Sequence, residues 1–123
     1  MKYRIAVASS DGLVINQHFG HADKFHITEL DTETGGTEFI ETREVTPCCV
    51  NFDHTQSAFD AVLKTLHDTQ VILVARIGGG AEAYLIQNGM TVYEAPYLIP
   101  EVLAQIIAEK RWEADKWRFP TKN

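Results

Sequence analysis

Three short stretches of this chain carry residues able to do chemistry. The first, Ser10 to His21, holds Ser10, Asp11, Asn16, His18 and His21. Neutral imidazole ligates Zn, Cu, Fe and Ni, so two histidines three residues apart could share a metal. A loop that merely happens to be rich in histidine is the plain alternative. The second stretch is Arg76-Ile77-Gly78-Gly79-Gly80. Glycines permit close backbone approach, free N–H groups at a helix start attract anions, and Arg76 adds a permanent positive charge. The GxxxxGK[ST] and GxGxxG spacings are both missing, which argues against a nucleotide site. A turn that needs glycines for steric reasons accounts for the same residues. The third stretch runs from Pro47 through Cys48, Cys49 and Asp53 to His54. Thiolate, imidazole and carboxylate this close in sequence suit a soft or borderline metal. No second cysteine pair completes a structural zinc site, and a Cys–His nucleophilic pair or small buried thiols stand as alternatives.

Other candidates are weaker. Hydrolysis with carboxylate-held Mg²⁺ would need Asp11 to meet acids such as Glu29 or Glu82, and nothing in the spacing selects them. His26 falls within a strand and His67 beside Asp68 at a helix end, where surface or partly packed histidines are the simpler reading. Cys48 and Cys49 are adjacent, and neighbouring Cα atoms lie ~3.8 Å apart against the ~4.4–6.8 Å of ordinary disulfides, so a bridge between them would be strained. Tandem thiols in a reducing compartment read as ligands, redox groups or packing.

The elements that must position these residues follow from the pattern. The 123 residues make one domain, residues 1–123, large enough to fold on its own core. Seventeen acidic against eleven basic residues leave a charge of −6, which disfavours generic nucleic-acid binding and polybasic membrane docking. No apolar run approaches the ~20 residues that span a bilayer, and the opening residues lack the pattern of a signal peptide, so a cytoplasmic location is expected. Tyr3–Ser9 and Val71–Ala75 read as strands buried on both faces. Phe25–Leu30 and Glu38–Val45, with Thr34-Gly35-Gly36-Thr37 between them, read as an antiparallel hairpin. Leu13–Lys24 has no sustained period and reads as a loop. From Thr55 the period is helical, with Phe59, Val62, Leu63 and Leu66 on one side. A short helix follows the glycines and stops at Gly89. Thr91–Glu94 is a strand, and Pro100 opens a last helix with Val102, Leu103, Ile106 and Ile107 inward. The order β-β-β-α-β-α-β-α implies an α/β domain with parallel central strands and helices on both faces. Ligands in such sheets sit beyond the carboxyl ends of the parallel strands, which places the first and second stretches together.

Ile5–Ser9 followed by Ser10-Asp11-Gly12, then His18-Phe19-Gly20-His21-Ala22 and Phe25, resembles the opening of the dinitrogenase iron–molybdenum cofactor-binding family. The resemblance continues through Arg43, Pro47-Cys48, His54, Val71–Gly80 and Leu85–Val92, about residues 3–107, with an aromatic and charged tail over 110–123. It implies a ribonuclease H-like, three-layer fold with a mixed five-stranded sheet in the order 3-2-1-4-5. It further implies a non-catalytic carrier of an iron–molybdenum cofactor or related metal–sulfur cluster, or its precursor, working with nitrogenase cofactor assembly proteins or apo-dinitrogenase. On that reading His18 is the leading cluster ligand. Cys48, Cys49 and His54 are further metal ligands, and Ser10, Asp11, Gly20, His21, Arg76, Gly78, Gly79 and Gly80 line the cofactor site. A cysteine-based redox or regulatory domain using Cys48 and Cys49 is the alternative.

Overall fold

The run Lys2–Ala8 forms strand β1, in which Ile5 and Val7 on one face and Ala6 and Ala8 on the other are all fully buried. A strand with two apolar faces must lie between two layers. The computed structural model describes residues 2–47 and 56–113, with side chains from residue 59 onward in the second stretch. It supplies both layers. The elements after β1 are β2 (Lys24–Asp31), β3 (Thr37–Glu44), α1 (Gln56–Thr65), β4 (Val71–Val74), α2 (Gly79–Gln87), β5 (Thr91–Glu94) and α3 (Ile99–Glu109). The sheet order is β3-β2-β1-β4-β5. β1 pairs antiparallel with β2 (Ile5 opposite Thr28) and parallel with β4 (Ile5 opposite Val71). The two strands expected at the sheet centre are there, side by side. Ala6, Ala8, Phe25, Ile27, Ile72 and Val74 pack under α1 and α2 through Val62, Leu66, Ala81 and Leu85. The opposite face, with Tyr3, Ile5, Val7, Leu30, Val71 and Leu73, packs under α3 through Val102 and Ile106. This is the mixed three-layer arrangement of the ribonuclease H-like fold.

Local chemistry fixes the boundaries. Asp31 Oδ1 accepts the N–H groups of Glu33 and Thr34, and Gly35 adopts φ +78° to close the β2–β3 turn. At the end of α2, Met90 donates to Leu85 and Gly89 to Ile86, with Gly89 at φ +85°, the glycine stop expected from sequence. A polar weld ties the sheet to the turn after α1. Asp68 accepts from Arg43 on β3 (2.6 and 2.9 Å) and from Arg4 on β1 (2.9 Å), while Arg4 also reaches Glu29 on β2 (3.1 Å). The hydrogen bonds from Arg43 hold the Asp68 carboxyl at about 2, and the same partnership raises the Arg43 guanidinium.

Two features depart from the sequence reading. Within the expected loop Leu13–Lys24, Phe19–His21 form a single turn of 3₁₀ helix, too short to leave a periodic signature. Trp112, grouped with the tail by sequence, is buried against Tyr3 with ring centroids 6.3 Å apart. Cys48, Cys49, His54 and the expected helix start at Thr55 lie outside the described residues, as does the sequence after Glu113.

Candidate functional site

Beyond the carboxyl ends of β1 and β4 the backbone of Gln17 inserts between the two strands. Its N–H donates to the Ala8 carbonyl (3.4 Å), and its carbonyl accepts from Ala75 N–H (2.9 Å). Phe19 N–H then donates to the Arg76 carbonyl (2.8 Å), so His18 lies beside Arg76 in a parallel bridge. The two chemically unusual loops are thereby joined into one structure. Gln17 Nε2 donates to Asp23 Oδ1 (3.2 Å) and closes the loop at its base. Phe19 is buried next to Phe25 and anchors the turn in the core. Because a 3₁₀ turn has three residues per turn, side chains at i and i+3 eclipse. His18 and His21 do so, with rings 6.4 Å apart and 3° from parallel, both exposed. Gly20 sits inside this turn without a positive φ, so its place there does not depend on left-handed backbone.

The glycine run opens α2. Gly78 is its N-cap, and the first intrahelical bond runs from Glu82 N–H to Gly78 carbonyl (3.0 Å). The amides of Gly79, Gly80 and Ala81 therefore have no acceptor among the described residues. None of the three glycines has a positive φ, and a Cβ at any of them would meet nothing within 4 Å. Steric need among the described residues does not explain them. All three are exposed, as is Arg76, which has no ion-pair partner among the described residues. This end of the sheet thus carries an exposed guanidinium, three open amides at a helix N-terminus and two exposed imidazoles on adjoining loops. That set favours an anion, and the imidazoles can ligate a metal within it.

Ser10 and Asp11 are close by, and both are engaged in building the loop. Asp11 Oδ1 accepts from Leu13 and Val14 N–H (2.8 and 3.1 Å) and from the buried Ser9 hydroxyl (3.0 Å), and these donors hold its carboxyl below the usual range. The Ser10 hydroxyl accepts from Asn16 Nδ2 (2.9 Å), and Ser10 N–H donates to Asn16 Oδ1 (2.9 Å). Glu29 is spent on Arg4, and Glu82 lies in the first turn of α2. No group of three His, Cys, Asp or Glu able to hold a metal ion occurs among the described residues, so the carboxylate–Mg²⁺ arrangement is not assembled there.

Sequence reasoning missed three contributors. His26 bridges the Ser9 carbonyl (3.0 Å) and the Thr42 hydroxyl (2.9 Å), tying the start of the site loop to β2 and β3. Gln17 supplies the inserted backbone. Glu94, at the carboxyl end of β5, accepts the Ile77 N–H (2.9 Å) and pins the glycine loop. The position of Glu94, ending a parallel strand beside the crevice, is the one signal that could have singled it out.

Relatives carry the same domain. The chain is 33% identical over 106 residues to the FeMo cofactor biosynthesis protein NifB of Rhodobacter capsulatus, covering 84% of this chain and 23% of that protein. It is 38% identical over 77 residues to NifB of Azotobacter vinelandii, covering 60% and 15%. The chain thus spans under a quarter of those proteins. In fold it matches the crystal structure of PH0822 (TM-score 0.64, 21% identity, 86% of this chain and 89% of that one). It also matches the apo form of the orange protein of Desulfovibrio gigas (TM-score 0.54, 19% identity, 87% and 88%). The profile of the dinitrogenase iron-molybdenum cofactor family matches residues 1–109, nearly the whole described domain, and the chain belongs to that family.

Proposed function

We propose that this domain is a non-catalytic carrier that binds an iron–molybdenum-type metal–sulfur cluster, or its precursor, during cofactor assembly. The observation that carries the reading is the glycine run. Gly78, Gly79 and Gly80 weaken a helix start, have ordinary φ values and touch nothing among the described residues that forbids a side chain. Their bareness serves what approaches from outside. An anionic cluster with sulfide at its surface suits the open amides and Arg76, and imidazole from His18 or His21 ligates iron or molybdenum without adding charge. Cys48, Cys49 and His54 are the further metal ligands in this proposal. Delivery is to cofactor assembly proteins or apo-dinitrogenase in the cytoplasm; among the described residues no helix is long and apolar enough to cross a membrane.

Anaerobic purification from the native host, followed by iron, molybdenum and sulfide analysis, tests the proposal. Brown or orange protein holding molybdenum or iron together with sulfide is the expected result. Colourless protein whose free-thiol count changes with oxidant would instead favour the redox alternative based on Cys48 and Cys49.

A further inference from the structure

The glycine loop that the proposed anion site uses is itself bonded to one carboxylate. Glu94 Oε2 accepts the N–H of Ile77, between Arg76 and Gly78. Among the described residues three hydrogen bonds hold this loop and the residue before it from outside: Gln17 carbonyl on Ala75, Phe19 N–H on the Arg76 carbonyl, and Glu94 on Ile77. Glu94 is the one side chain among them, and the one that carries charge. The other acids near the loop are placed differently. Asp11 is surrounded by its own turn amides, Asp23 is clasped to Gln17, and Glu82 is the ordinary first-turn acid of α2.

We propose that Glu94 is a specificity-determining residue of the anion site, doing two opposed things. As an acceptor it positions the Arg76–Gly80 loop against the end of β5, so that the free amides of α2 stay aimed at the crevice. As an anion it repels the cargo, in proportion to the cargo's negative charge, and keeps binding weak enough to reverse. The inference rests on the carrier reading above and adds the residue that tunes it.

Glutamine at 94 separates the two effects, because its carbonyl can accept the same N–H without the charge. Alanine removes both acceptor and charge. The probe is tetrathiomolybdate, a metal–sulfide dianion whose optical spectrum reports binding, titrated anaerobically into the full chain at low and high salt. Glu94→Gln should bind about 3- to 10-fold more tightly than the parent at low salt, with the advantage shrinking as salt rises, since screening acts on charge alone. Glu94→Ala should bind more weakly than Glu94→Gln, and hydrogen exchange at the Ile77 amide should quicken in the alanine variant alone. If Glu94→Gln binds no more tightly than the parent, or its advantage does not fall with salt, the charge role is refuted. If alanine and glutamine variants bind alike, the positioning role is refuted. A parent protein that binds no tetrathiomolybdate, with Ile77 protection intact, overturns the carrier reading and this inference with it.

Discussion

Replacing Gly79 and Gly80 together by alanine should make the protein more stable and worse at its proposed task. Gly79 opens α2 and Gly80 follows it, both at φ values open to alanine. Among the described residues a methyl group at either position meets no atom within 4 Å, so overpacking does not enter. In a helix interior alanine is favoured over glycine by ~0.8–1.0 kcal/mol, partly through the lower entropy of the unfolded chain. In the first turn, where the amides make no intrahelical bonds, about half of that is realised. The pair should therefore gain about 1 kcal/mol, or about 3–6 °C in Tm for a domain of this size. Urea denaturation of parent and variant measures the gain, and anaerobic titration with isolated iron–molybdenum cofactor measures the loss, expected at about 10-fold, or ~1.4 kcal/mol. A variant that is stabilised yet binds the cofactor as tightly as the parent would refute the claim that the glycines serve a ligand. A destabilised variant would refute the steric argument.

Further expectations concern the frame and the thiols. The Asp68 carboxyl is depressed from 3.8 to about 2, chiefly by hydrogen bonds from Arg43, but the side chain is 35% exposed. After discounting for solvent screening, the interaction is worth about 1–1.5 kcal/mol. Asp68→Asn should cost that much at pH 7, and the difference from the parent should close as pH falls from about 4 towards 2, where the parent's carboxylate is itself protonated; urea midpoints across that range decide it. His26→Ala should cost about 1–2 kcal/mol and speed hydrogen exchange in residues 9–13, because two hydrogen bonds are lost, whereas His67→Ala, at an exposed site, should stay within about 0.5 kcal/mol. Trp112→Ala should cost about 3–5 kcal/mol by thermal or urea melts, as for a core aromatic. Replacing both Cys48 and Cys49 by serine should reduce metal retention at unchanged Tm, and the opposite pattern would make them packing residues.

The frame was legible because it rests on local signals. Ile5–Ala8 and Val71–Val74 are short runs without a polar face, and such runs belong between layers; the turn at Gly35 and the stop at Gly89 follow from backbone chemistry that any reader of the sequence can apply. The parallel pairing then puts the His18 and Arg76 loops at one end of the sheet, so their adjacency was legible as well. The way they are held was not. Gln17 enters because β1 and β4 part at their ends, a long-range event with no sequence period. His26 reads from sequence as a surface or partly packed histidine, and its two partners appear only once β2 and β3 are assembled beside Ser9; Glu94 reads only as the end of a strand, and its bond to Ile77 depends on the glycine loop folding back to meet it. Trp112 sits among charged neighbours, and its burial depends on Lys110, whose φ of 50° ends α3 and turns the chain back towards Tyr3.

In the function proposed above, a metal–sulfur cluster is bound through imidazole at the mouth of the β1–β4 gap. Anaerobic titration of isolated iron–molybdenum cofactor into the parent protein and His18→Ala, with unchanged circular dichroism as the check on folding, tests it most directly. His18→Ala should lose at least about 10-fold in affinity, ~1.4 kcal/mol. Equal affinity in parent and variant would contradict it and move the ligand role to His21 or His54.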